Sequence, residues 1–258
     1  MNNSIRKRIE NMKKIFLITG ANSQVGMAYI RKLNRLDEDI TVYACYRNES
    51  EEFERLLQEN TDIDIISCKV DLSDEKQVEK MINELTEKGV CPTNILHLSA
   101  AKFEYMKVKQ WDFDKVREEM EIVLYSFAHI CKAFLPVMAK QKSGKVVAML
   151  SSYTLGTPPK FMSDYVACKY ALLGFLKSAA AEYAAKGLNI NGISPGMMET
   201  KFLDNIDDRI IEMNAHNTAT GRNTTVEETV GAIEFLMSDA SSYMNGVNLN
   251  LSGGDYMP

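Results

Sequence analysis

The sequence predicts an α/β protein: a doubly wound parallel sheet of seven strands with helices on both faces. Three observations lead there. Short apolar runs rich in β-branched and aromatic residues alternate with longer amphipathic segments along the whole chain. The first apolar run ends in a glycine-containing turn that opens directly into a helical pattern. No internal repeat, low-complexity tract or linker interrupts the alternation, so the 258 residues read as one domain, with a polar N-terminal extension at 1–13.

The elements follow in order. Lys14–Thr19 (KIFLIT) is the first strand. Gln24–Leu36 is a helix, with Val25, Met27, Ala28, Ile30 and Leu33 near helical spacing. Ile40–Cys45 (ITVYAC) is the second strand, and Glu49–Asn60 a charged helix with Phe53, Leu56 and Leu57 on its apolar face. Ile63–Val70 is the third strand, and Ser73 begins a helix whose first turn is acidic, as a helix N-terminus prefers. Asn94–Leu98 is the fourth strand, Asp112–Lys140 a long helix, and Lys145–Leu150 (KVVAML) the fifth strand. Ser163–Lys186 is a second long helix, stopped by Gly187, and Leu188–Ile193 is the sixth strand. Residues 195–224 are less regular. Thr225–Ser238 is a helix and Val247–Leu251 the last strand.

Composition narrows the function. Apolar residues make up 45 % and charged residues 25 %, a globular balance that excludes a disordered or fibrous chain. The formal net charge of −5 lacks the basic excess of a nucleic-acid binder. Charged residues break every apolar stretch, so no membrane span is expected. Cys45, Cys68, Cys91, Cys131 and Cys168 form no CxxC pair and read as reduced thiols of a cytoplasmic protein. The three histidines show no metal-ligand spacing, so no metal is expected.

The turn after the first strand runs Thr19-Gly20-Ala21-Asn22-Ser23-Gln24-Val25-Gly26. Glycine lets a backbone turn tightly and approach a pyrophosphate, and the helix that follows presents free N–H groups to the anion. About 20 residues beyond the glycines, an NAD site places an acid on the ribose 2′-OH. Here Tyr46 and Arg47 stand there, and an Arg suits a 2′-phosphate, so NADP(H) is favoured over NAD(H).

This turn resembles the TGxxxGxG signature of the short-chain dehydrogenase/reductase family, in its compact branch, with Gln24 where that signature has its middle glycine. The resemblance extends from about Lys14 to Gly254 and implies a Rossmann fold. Asp71-Leu72 resembles the adenine-contacting segment. His97-Leu98-Ser99-Ala100 stands where the family has Asn-Asn-Ala-Gly, with Ala100 keeping a small residue beside the cofactor. Pro195-Gly196-Met197-Met198-Glu199-Thr200 is similar to the PGxxxT segment that holds the nicotinamide amide and the pyrophosphate. By this resemblance Gly20, Asn22, Ser23, Gln24, Val25, Gly26, Arg47, Asp71, Leu72, Ala100, Tyr165, Lys169, Pro195, Gly196, Met198 and Thr200 are the cofactor-binding residues.

Tyr165 and Lys169 are four apart in a helical segment and share a face, and Ser152 lies 13 residues before the tyrosine. This is similar to the family's Ser and YxxxK constellation. A free Tyr has a pKa of about 10, and a neighbouring ammonium favours the phenolate. The resemblance therefore implies Tyr165 as general acid/base, Lys169 lowering its pKa and holding the nicotinamide ribose, and Ser152 orienting the substrate oxygen. The family's fourth residue, an Asn that distorts the helix and holds a water, aligns with Val123.

Phe103, Tyr105, Tyr153, Leu155, Phe161, Met197, Met198 and Phe202 are expected to wall the substrate site. The substrate is a small-molecule carbonyl or alcohol. The chain resembles 3-oxoacyl-acyl-carrier-protein reductases most, for which Lys102, Lys107 and Lys109 supply a basic patch toward a carrier-linked thioester. Two alternatives stay open: a nucleotide-sugar or keto-sugar reductase or epimerase, and a non-catalytic NADP sensor. The resemblance also implies a homotetramer, or a dimer, packed through the two long helices.

Overall fold

A computed structural model describes residues 13–36, 38–59, 61–102 and 104–257. Most of the expected N-terminal extension therefore lies outside the described residues. Seven parallel strands form one sheet in the order β3-β2-β1-β4-β5-β6-β7. They are β1 (Lys14–Thr19), β2 (Ile40–Tyr46), β3 (Asp64–Lys69), β4 (Asn94–His97), β5 (Gly144–Met149), β6 (Leu188–Pro195) and β7 (Asn248–Leu251). The order reverses between β1 and β4, and a crevice opens at the carboxyl ends of those strands.

Successive strand residues point to opposite faces. Leu17, Ile95, Val146 and Ile190 pack on one side with α3 (Glu75–Glu87), α5 (Ser126–Gln141) and α6 (Ser163–Tyr183). Phe16, Ile18, Leu96 and Val147 pack on the other with α1 (Gln24–Leu33), α2 (Glu51–Gln58) and α8 (Val226–Met237). The inner strands β1, β2, β4 and β5 are buried by helices on both faces and carry continuous apolar runs, whereas the edge strands β3 and β7 stay partly exposed. Phe127 and Phe134 on α5 are wholly or almost wholly buried. Truncating either to Ala should cost about 3–5 kcal/mol.

Several boundaries differ from the sequence reading. The helix after β3 starts at Glu75 because Asp74, rather than Ser73, caps it, accepting from Lys76 N and Gln77 N. Glu228 and Thr225 form a reciprocal capping box that opens α8. Residues 195–224 are not wholly irregular: they hold α7 (Asp208–Asn217), which carries no fully buried residue and so left a weak apolar period. The first long helix is α4 (Phe113–Met120) continued by α5, with one π-helical turn, Glu121–Tyr125, between them. Phe113–Gln141 is also long and apolar enough to cross a membrane by length and composition, which the sequence reading excluded. In the fold its apolar side, including Phe127, Ile130, Phe134 and Met138, lies under the sheet.

Candidate active site

The crevice at the strand ends is a cleft of about 540 Å³. Gly20, Asn22, Ser23, Gln24 and Val25 form one wall, and Arg47, Asp71 and Leu72 another. Ala100, Ser152, Tyr165, Lys169, Pro195, Gly196, Met198 and Thr200 close it. Gly26, alone of the expected set, does not line the cleft. It packs behind it: a Cβ there would fall 2.6 Å from the Ala21 carbonyl oxygen, so only glycine lets α1 sit against the turn. Gly20 has φ +67°, a left-handed conformation that lets the chain leave β1 and turn under Ser99.

Ser23 caps α1 by accepting from Gly26 N at 3.0 Å. The Gln24 side chain reaches across the cleft, where its Oε1 accepts from Lys201 N at 2.8 Å. Lys201 Nζ in turn pairs with Glu52 at 2.7 Å. Gln24 thus ties the phosphate turn to the segment after β6. Arg47, at the end of β2, is 50 % exposed and only loosely held, 3.9 Å from Asp71 Oδ1. That same Asp71 oxygen accepts from Ser73 N and Ser73 Oγ.

Tyr165 and Lys169 lie one turn apart on α6 and are both buried. Lys169 Nζ donates to the Met149 carbonyl at 2.8 Å and sits 5.7 Å from the centre of the Tyr165 ring. The Lys169 ammonium is pushed down to about 8 by burial, with the charges of Glu119 and Cys168 opposing. The expectation that Lys169 draws the Tyr165 phenol down is not met. Burial pushes the phenol up to about 12, helped by the Glu119 charge, and the Ser151 hydroxyl opposes the rise. Lys169, lowered to about 8, has already lost its charge where a phenol at about 12 titrates, so it does not draw the phenol down.

Ser151 is the residue that sequence spacing missed. It lies in the turn just after β5, lines the cleft and hydrogen-bonds Tyr165. Ser152 is buried in the same wall and makes no side-chain hydrogen bond among the described residues. Two adjacent serines were visible in the sequence, but which one meets the phenol depends on the turn they enter.

Val123 sits in the π-helical turn, fully buried in the core, so the helix is distorted there without the family's Asn. Its carbonyl accepts from His97 Nε2 at 3.1 Å, and Thr19 Oγ1 lies 2.7 Å from His97 Nδ1. A carbonyl only accepts, so Nε2 carries the hydrogen and Nδ1 takes the threonine hydroxyl proton. Burial pushes His97 down to about 3, which keeps it neutral. The histidine that departs from the family's Asn thus fastens the π turn to β1.

Tyr153, Met197, Met198 and Phe202 line the apolar end of the cleft, as expected. Tyr105, Leu155 and Phe161 do not line it, and Phe103 lies outside the described residues. Phe161 instead projects under Lys107 with φ +68°. Away from the cleft, Glu75, Glu79 and His129 bring three potential ligand atoms within 4.8 Å of one another. Sequence spacing gave no sign of this group because α3 and α5 supply it jointly. His129 Nε2 there pairs with Glu75 at 3.2 Å.

Comparison with known proteins agrees with this fold. The family model described as Enoyl-(Acyl carrier protein) reductase matches residues 20–255. The chain is 27 % identical to the 3-oxoacyl-[acyl-carrier-protein] reductase of Staphylococcus aureus, over 95 % of this chain and 99 % of that protein. Levodione reductase superposes with a TM-score of 0.84 at 24 % identity, covering 93 % of this chain and 96 % of its own. A 3-oxoacyl-[acyl-carrier protein] reductase from Brucella melitensis with bound NAD superposes at 0.82, with 22 % identity, covering 100 % of this chain and 97 % of its own.

Proposed function

The chain belongs to the short-chain dehydrogenase/reductase family, and from that premise we propose that it interconverts a carbonyl and a secondary alcohol with NADP(H), acting on a 3-oxoacyl thioester. One observation carries the reading. The phosphate turn, Arg47 and the Ser151, Ser152, Tyr165, Lys169 group all open onto one cleft.

The residues fit a dinucleotide. Gly20 holds the backbone open at the end of β1, and Arg47 has only a long ion pair to give up. The nicotinamide supplies the hydride when bound. Tyr165 donates its phenol proton to the substrate oxygen as charge develops there. Ser152 offers its hydroxyl to the same oxygen, and Ser151 orients the phenol. Lys169, anchored on the Met149 carbonyl, holds a second proton behind Tyr165. The buried, apolar end of the cleft excludes water from these groups.

Arg47 supports the NADP preference, because its guanidinium suits a 2′-phosphate and no acid ends β2. Arg47→Ala should weaken NADPH and leave NADH nearly unchanged in fluorescence titrations; equal losses would refute the preference. Lys102 lines the cleft, and with Lys107 and Lys109 it supports docking of an acidic carrier. Five unpaired thiols support a reducing compartment, the cytoplasm. Phe113, Tyr125, Val137 and Tyr170 expose apolar surface on the two long helices, which supports a homotetramer closed through them.

NADPH oxidation should be followed with simple ketones, β-ketoacyl thioesters and keto-sugars. The thioester is expected to turn over fastest. Keto-sugar turnover above it would move the assignment to a sugar reductase. Tight NADPH binding with no carbonyl reduced at all would overturn the reductase reading.

A further inference from the structure

A reductase whose tyrosine gives up a proton at every turnover must be re-protonated, and Tyr165 and Lys169 are both largely buried, with only the cleft side open. Behind Lys169 lies a polar seam that this chemistry has not used. Glu119, on the last turn of α4, is 6 % exposed, and so is Asp164 at the start of α6. Glu119 Oε1 and Asp164 Oδ1 are two of the three buried side-chain polar atoms without a hydrogen-bond partner among the described residues. The Cys168 thiol donates to the Glu119 carboxylate. Cys168 is the residue next to Lys169, so this bond sets the carboxyl beside the ammonium's own turn of helix. Glu119 also lies one turn before Val123, whose side chain offers no hydrogen bond.

A buried carboxylate oxygen with no partner is costly, and protonation removes the cost. Every neighbour matters to that balance. From α6, Asp164 raises the Glu119 pKa, while Lys169 and the Cys168 thiol lower it. Tyr165 feels the Glu119 charge from the same helix. Lys115, one turn earlier on α4, faces Asp164 and pairs with Glu104 at the surface. On β4, His97 feels Lys169 and stays neutral.

We propose that Glu119 is a positioning residue for proton supply: it passes protons between solvent and Lys169 through the seam between α4 and α6, with Asp164 as its carboxyl neighbour. The inference rests on the reductase reading. In the reducing direction the bookkeeping closes. Hydride reaches the carbonyl carbon, and the Tyr165 O–H bond breaks as the new alcohol O–H bond forms. The phenolate takes a proton from the Lys169 ammonium. The neutral amine takes one from the Glu119 carboxylic acid, and the carboxylate is re-protonated from solvent. No electrons move after the hydride step. Burial holds Glu119 up at about 7 and Lys169 down at about 8, so the proton crosses between near-matched groups.

The test uses the full chain with Glu119→Gln, which keeps size and polarity but carries no exchangeable acid. Carbonyl reduction should lose about tenfold or more in kcat at unchanged KM for NADPH. A solvent deuterium isotope effect should appear, and small buffer acids should restore the rate. The wild-type fall in kcat as pH rises through neutrality should vanish, and Asp164→Asn should move that fall to lower pH. Glu119→Asp should recover part of the rate. In the protein without cofactor, infrared difference spectra should show a carboxylic acid band that titrates near neutral pH and is missing from Glu119→Gln. Wild-type kcat across pH in Glu119→Gln, a loss that no buffer acid restores, or no such band would each overturn the proposal. An inactive wild-type enzyme would refute the reductase reading by a separate result, since the infrared band reports on Glu119 in either case.

Discussion

Tyr165 is raised by burial and held by Ser151, and two substitutions separate these contributions. Tyr165→Phe removes the proposed proton donor and should cut kcat at least about 10²-fold with NADPH binding retained, as stopped-flow and titration together would show. Near-normal turnover would place the donor elsewhere. Ser151→Ala removes the group that favours the phenolate, so the pKa governing alcohol oxidation should rise. A pH profile of kcat/KM in the oxidative direction reads that shift, and Ser152→Ala should lower the rate without it. The Tyr165–Lys169 pair was legible because a four-residue spacing fixes two side chains on one helical face. Ser151 was not, because the turn after β5 decides which serine faces the phenol.

At the scale of elements, the π-helical turn at Glu121–Tyr125 shows how one distortion persists with a different residue. His97 donates to the freed Val123 carbonyl, and Ser126 Oγ donates to that of Ile122. Val123 itself packs with Leu17, Ile95 and Phe127 in the core. The family's Asn aligns with this position, which suggests that an amide fits here. The packing points the other way: Val123→Asn buries an amide among apolar side chains and should destabilise the fold by about 1–3 kcal/mol, measured by denaturant unfolding. Unchanged stability would mean that the amide finds a partner in the turn. Gln24 is an element-scale device too. Its bond to Lys201 N joins the first helix to the segment after β6, which a glycine at this position could not do.

For the whole molecule, His97 and Glu119 set opposing slopes of stability with pH. His97 is depressed from 6.5 to about 3, so its contribution is complete above pH 6.5 and is lost as pH falls toward 3. Glu119 is raised from 4.5 to about 7, so its contribution is complete below 4.5 and is lost as pH rises toward 7. Each slope is about 1.4 kcal/mol per pH unit. Between 4.5 and 6.5 the two should nearly cancel, and below 4.5 stability should fall. His97→Gln should make stability rise as pH drops from 7 to 4.5, and Glu119→Gln should make it fall from 6.5 downward. Urea midpoints at several pH values check both. Parallel curves for wild type and variants would show that neither group carries the slope.

The sequence by itself determined the layered α/β fold, the presence and order of its strands, the glycine turn after β1 and the Tyr165–Lys169 pair. All of these rest on local periodicity or on a short stretch of chain, where neighbours in sequence are neighbours in space. Only the tertiary structure decided the rest. The His97 bond to Val123 spans 26 residues, and the Gln24 bond to Lys201 spans 177. The direction of the Tyr165 shift depends on how deeply the cleft buries it, and no spacing encodes burial. Glu119 looks like one more charge on a helix written Phe-Asp-Lys-Val-Arg-Glu-Glu-Met, until α6 closes over it and leaves its carboxyl beside Asp164, Cys168 and Lys169. Desolvation and long-range partners belong to the packed molecule, because both depend on which distant segments the sheet brings together.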